Sequence, residues 1–69
     1  MYIFKTDKKY ELLGNKTIKD YSENIHIDYT YLISVLNSKR GCSYRLARDI
    51  VDESKSNKEI EYYFNKKDE

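Results

Sequence analysis

Metal ligands and disulfide partners are almost missing from this chain. Its 69 residues include one cysteine, Cys42, and one histidine, His26, too few for a disulfide or a four-ligand zinc site within one molecule. A Cys–His nucleophilic pair is the arrangement that remains, but in so short a chain both residues are ordinarily structural. A domain of this size also leaves little room for a pocket of about 300–1,000 Å³, the usual ligand-binding volume. No catalytic residue, cofactor, metal or small-molecule substrate is therefore expected. Apolar runs are short as well. None approaches the roughly 20 residues of a membrane span, and no signal-peptide pattern is present. Together with the lone thiol, these absences predict a cytoplasmic protein with no membrane partner.

Hydrophobic residues are few, at 39%, and charged ones make up 36% of the chain. Eight Tyr and two Phe offset this, because large amphipathic rings can close a small core; one folded domain over residues 1–69 is expected rather than a disordered chain. Such a core supplies about 3–5 kcal/mol of net stability, so with disulfides and metals excluded a second copy of the chain is the expected source of added support. The net charge of +1 conceals an uneven distribution. Residues 16–48 hold six cations against three anions, and residues 49–69 hold four cations against seven. A basic middle beside an acidic tail suits a chain with one face toward nucleic acid. Richness in Lys, Asn, Ile and Tyr also matches the composition encoded by an AT-rich genome.

Periodicity divides the chain into short elements. Tyr2-Ile3-Phe4 favours a strand. Asp7 to Leu13 reads as a first helix with Tyr10 and Leu13 on one face, broken by Gly14-Asn15. Thr17 opens the next helix through the box Thr17-x-x-Asp20, and Ile18, Tyr21 and Ile25 follow at spacings of three and four. After His26-Ile27, Asp28 is a second N-cap, and Leu32, Val35 and Leu36 share a face of the helix that runs to Asn37. Ser38 to Cys42 forms a basic loop. Ser43 caps a helix over 43–53 with the stripe Leu46, Ala47, Ile50 and Val51. A turn at Ser54 to Asn57 leads into a terminal segment, 57–69. There Ile60, Tyr62 and Phe64 alternate as in a strand that pairs with Tyr2–Phe4; a short helical turn with Tyr63 or Phe64 plugging the core is the alternative. The expected fold is mostly helical, a bundle of four to five short helices with short terminal strands as an option.

Two short helices joined by a three- or four-residue turn make a helix-turn-helix unit, here over about 17–37. Such helices cross steeply, and Tyr21, Ile25, Ile27, Leu32 and Val35 supply the shared core while the small Ser22 sits at the closest approach. In these residues the chain resembles the phage repressor/Cro (Xre) family. The resemblance runs without a gap from Thr17 to Arg40, continues with the helix from Ser43 to Asp52, and covers about half of the chain. It implies sequence-specific binding of an operator in double-stranded DNA by a homodimeric transcriptional regulator, with half-sites one helical turn apart. Small solitary domains of this type resemble products of phages or mobile elements. An apolar pattern of this kind also suits any αα-hairpin.

The resemblance carries roles to particular residues. The recognition helix is Asp28 to Asn37, with Tyr29, Thr30 and Ser34 at positions that face base edges. Thr30 offers a methyl and a hydroxyl, Ser34 a hydroxyl, and Tyr29 either stacks along the groove wall or reaches a phosphate. None of them forms a bidentate purine contact. Phosphate contacts fall to Tyr31, Asn37, Lys39 and Arg40 and to the helix starts at Thr17 and Ser43, with Lys16 and Lys19 beside the first of these. The terminal segments Tyr2–Phe4 and Ile60–Phe64, whose aromatics look exposed, are the expected dimer contact.

Four positions depart from the family. His26 stands where Gly usually permits a positive φ, which His tolerates. Ile33 and Leu36 are apolar where many relatives are polar; they pack on the terminal segments or mark a partner surface. Cys42 replaces a frequent Pro and reads as a small hydrophobe. The near-neutral charge and the weakly informative helix leave a rival reading, a protein-interaction module such as an antirepressor or inhibitor on the same fold.

Overall fold

A computed structural model describes residues 1–67; residues 68 and 69, the end of the terminal segment expected over 57–69, lie outside the described residues. The elements run in the order β1 (Tyr2–Phe4), a 3-10 turn (Thr6–Lys8), α1 (Lys9–Leu13), α2 (Ile18–Asn24), α3 (Tyr29–Leu36), α4 (Tyr44–Ser54), α5 (Ile60–Tyr63) and β2 (Phe64–Lys66). The protein is thus a small, mostly helical bundle with short terminal strands.

Local sequence chemistry sets the helix starts. The Asp20 N–H donates to Thr17 Oγ1 at 3.1 Å and the Thr17 N–H donates to Asp20 Oδ2 at 3.0 Å, completing the capping box. Asp28 accepts from the Tyr31 N–H at 3.0 Å and Ser43 from the Leu46 N–H at 3.2 Å. Each cap satisfies an otherwise orphaned amide and contributes about 0.5–2 kcal/mol. The inner faces then meet in one core, in which Tyr21, Leu32, Val35, Leu36, Ala47 and Ile50 are fully buried.

The chain termini close that core rather than project from it. β1 and β2 pair antiparallel, with Phe4 opposite Phe64 and the two rings edge to face at 5.2 Å. On its other side β1 exchanges two backbone hydrogen bonds with Cys42, at 2.8 and 2.9 Å, and the Ser38 hydroxyl donates to the Phe4 carbonyl. β1 is therefore held from both edges, which an isolated two-stranded ribbon would lack. Gly41 allows the close approach, since a Cβ there would collide with the Met1 side chain.

One local expectation is corrected, and one left open, strand or helical turn in the terminal segment, is decided. Tyr10 does not share an inward face with Leu13. It is 86% exposed while Leu12 is buried, because Tyr21 fills the space behind α1 and its hydroxyl donates to the Leu12 carbonyl at 2.5 Å. In the terminal segment, Ile60, Tyr63 and Phe64 are the buried residues. Their spacing of three and four belongs to the turn of α5, and strand geometry begins only at Phe64. Tyr62 faces partly outward, donating to Glu11 Oε2 at 2.6 Å beneath the Lys8 ammonium.

Burial also governs two titrations. It pushes the Tyr21 phenol from 10.0 up to about 12, with the Glu53 carboxylate and Tyr63 adding to the effect. It lifts the Cys42 thiol from 9.0 to about 11 against the pull of the N-terminal ammonium, so Cys42 behaves as the expected small hydrophobe. Both groups ionise more readily in the unfolded chain. Their stabilising effect is whole below pH 9 and is lost as pH rises, through about 11 for Cys42 and about 12 for Tyr21. Urea midpoints should fall between neutral pH and pH 11, and Cys42→Ala should flatten part of that fall. A pH-independent midpoint would contradict the assignment.

Candidate nucleic-acid interface

The turn between α2 and α3 is built by one left-handed residue. His26 has φ 58°, and the Ile27 N–H reaches back to the Ser22 carbonyl at 3.0 Å, the longer bond of a Schellman helix end. Ser22 is buried, as expected where the helices approach, and its hydroxyl donates to the Lys19 carbonyl at 2.8 Å. The His26 backbone matches the positive φ expected there. His26→Val, which puts a β-branched residue in this region, should cost about 1–2 kcal/mol, whereas His26→Gly should leave stability nearly unchanged. Thermal melts of the two variants check this; equal loss in both would place the importance of His26 in its imidazole.

α3 then presents two faces. Leu32, Val35 and Leu36 point into the core, which settles Leu36 as a packing residue. Tyr29, Thr30, Ile33, Ser34 and Asn37 share the other side by helical spacing. Tyr29 is 47% exposed, Thr30 and Asn37 are exposed, and Ile33 and Ser34 are half-buried.

The end of α3 aims the loop cations. Ser38 has φ 61°, with Ser38 N–H to the Val35 carbonyl at 3.1 Å and Lys39 N–H to the Ser34 carbonyl at 3.0 Å, a complete Schellman motif. Serine is not a usual left-handed residue, so no local signal marks this motif; the bond of the Ser38 hydroxyl to β1 holds it. Lys39 and Arg40 emerge exposed from the turn. Arg40 stacks over the half-buried Tyr31 ring, 4.8 Å from its centroid, so Tyr31 serves as the platform that orients the guanidinium.

Lys9, which sequence reasoning missed, joins this cluster. Its Nζ donates to Asn37 Oδ1 at 3.0 Å. The pair lies 28 residues apart, and nothing local to either residue could have signalled it. Lys16 goes the other way. Its ammonium is tied to Glu53, at 2.9 Å to Oε2 and 3.1 Å to the carbonyl, and Asn24 donates to the same carboxylate at 2.6 Å. Lys16, then Asn24, hold the Glu53 carboxyl below its ordinary range. Lys16 therefore braces α2 against α4 instead of standing free beside a helix start.

The two proposed phosphate-facing helix starts differ. At Thr17 the capping box occupies the residue's own N–H and places the Asp20 carboxylate in the first turn. At Ser43 the first turn of α4 holds no acid, and the exposed Tyr44 rests near Tyr2, ring centroids 5.8 Å apart. Lys19 is exposed on the first turn of α2. No side-chain hydrogen bond or ion pair among the described residues links Thr17 or Lys19 to the Tyr31–Arg40 cluster.

The aromatics expected to look outward as a dimer contact do not. Tyr2, Phe4, Ile60, Tyr63 and Phe64 are all buried within one chain, because the terminal segments pair with each other. A groove of about 450 Å³ runs between α4 and the start of α5, where Arg48 and Lys58 are interspersed with Asp52, Glu59 and Glu61. No helix among the described residues is long and apolar enough to cross a membrane. No family model, curated protein or solved structure matches the chain.

Proposed function

We propose that this protein binds double-stranded DNA through α3 and acts as a transcriptional regulator of the repressor/Cro type, without chemistry or a cofactor. One observation carries the reading. An uncharged outer face on a capped helix, exposed at Tyr29, Thr30 and Asn37, is followed at once by two cations, one of them stacked on an aromatic ring. Uncharged groups suit base edges, and the flanking cations suit the phosphates on either side. The acid-free start of α4 at Ser43 adds backbone amides to the same phosphate-facing role.

Operator binding is proposed to occur as a homodimer in the cytoplasm. The core of a single chain is small, and two linked half-sites multiply affinity. Since the terminal aromatics are consumed within one chain, the contact between copies belongs to another surface.

The test is fluorescence anisotropy of labelled duplex DNA across a range of salt. Affinity should fall with a slope of about −0.9 in log–log form for each phosphate neutralised. Absence of binding at low salt would transfer the function to a protein-interaction module, the reading that the near-neutral total charge of +1 favours.

A further inference from the structure

From the chemistry of the α3 face, we infer that the protein selects A·T-rich DNA by packing on thymine methyl groups. The inference rests on the DNA-binding reading and names what that surface recognises. The helix reads Tyr-Thr-Tyr-Leu-Ile-Ser-Val-Leu over Tyr29–Leu36, without an Arg, Lys, Asp, Glu, Asn or Gln. It therefore has no fork to grip guanine O6 and N7, no carboxamide for adenine N6 and N7, and no carboxylate for cytosine N4.

Of the neighbouring polar groups, Asn37 and Arg40 have partners within the chain, and Lys39, exposed beyond the helix end, belongs with the phosphate contacts. Asn37, the first carboxamide after the helix, has its oxygen occupied by Lys9 at 3.0 Å. Arg40 is held over Tyr31, and Tyr31 lies about 200° around the helix from Tyr29 at 100° per residue. Its guanidinium is thus fixed on the flank, where phosphates pass, rather than over the reading face.

What the outward face does offer is carbon beside hydroxyl. Thr30 contributes a methyl and an exposed hydroxyl, Ile33 its half-buried aliphatic chain, and Tyr29 a ring that is 47% exposed. The thymine C5-methyl is the apolar group that unmodified base pairs display in the major groove. Thr and Ser hydroxyls bond either donor or acceptor edges and add no preference of their own. Selection thus falls to the methyl groups, with Thr30 and Ile33 as the residues that meet them.

Uracil tests this, since it differs from thymine only by that methyl. Anisotropy titrations at low salt would use an alternating A·T duplex, the same duplex with every thymine replaced by uracil, and a G·C duplex. Binding to the A·T duplex should weaken roughly fourfold for each contacted methyl removed, the effect of one buried methyl-sized group, and G·C binding, which lacks the same methyls, should fall to the level of the uracil duplex. Thr30→Ser, which keeps the exposed hydroxyl and removes the side-chain methyl, should shrink the thymine-to-uracil ratio while leaving the salt dependence intact. Equal affinity for thymine and uracil duplexes with normal salt dependence overturns methyl selection but not DNA binding. An unchanged ratio in Thr30→Ser overturns the role of Thr30 in it. No salt-dependent binding to any of the three duplexes overturns both readings.

Discussion

Phe64→Ala should leave most of the chain unfolded at room temperature. Phe64 is 1% exposed and meets Phe4 both across the strand pair and through the edge-to-face ring contact at 5.2 Å. Truncating such a ring costs about 3–5 kcal/mol, which matches the whole net stability of about 3–5 kcal/mol available to a domain this small. The loss should propagate, because β1 also anchors Cys42 and the Ser38 turn that directs Lys39 and Arg40. Circular dichroism melts would show it as a shallow or missing transition. Phe64→Leu keeps most of the volume and should retain a cooperative, lowered transition. A Phe64→Ala protein as stable as the parent would mean that the terminal strand pair does not close the core.

The second large effect concerns binding. Replacing Lys39 and Arg40 together by Ala should lower affinity for duplex DNA roughly 100-fold at moderate salt, at about 1.5 kcal/mol for each charged hydrogen bond lost. The salt slope should become shallower by about 2. Both residues are exposed, so the melting transition should change little, and only the surface contact of Arg40 with Tyr31 is given up. Arg40→Lys should recover part of the affinity, since charge returns without the planar group that stacks on the ring. Unchanged affinity in the double variant would remove the end of α3 from the interface.

The helix starts were legible in the sequence because caps are local. Thr17, Asp28 and Ser43 each bond an amide three residues on, a pattern that needs no tertiary information. The inner face of α3 was legible from its helical spacing, whereas the positive φ at His26 was expected only through the family resemblance. The terminal segment was not legible. Strand alternation at Ile60, Tyr62 and Phe64 and helical spacing at Ile60, Tyr63 and Phe64 coexist in the same five residues. Packing against Phe4, 60 positions away in the paired register, decides between them. The outward Tyr10 likewise depends on Tyr21 occupying the space behind α1. In the candidate site, the cations after α3 were legible as a charge run. The Ser38 turn, the Tyr31 platform and the Lys9–Asn37 bond were not, because each depends on a partner that the fold supplies.

Amide chemical-shift mapping would locate the DNA contact residue by residue. Isotope-labelled protein would be titrated with A·T-rich duplex DNA at low salt. Shifts should concentrate at Tyr29, Thr30, Ser34 and Asn37, at Lys39 and Arg40, and at the start of α4 around Ser43. Shifts confined to the groove between α4 and α5, or none at all, would contradict binding through α3.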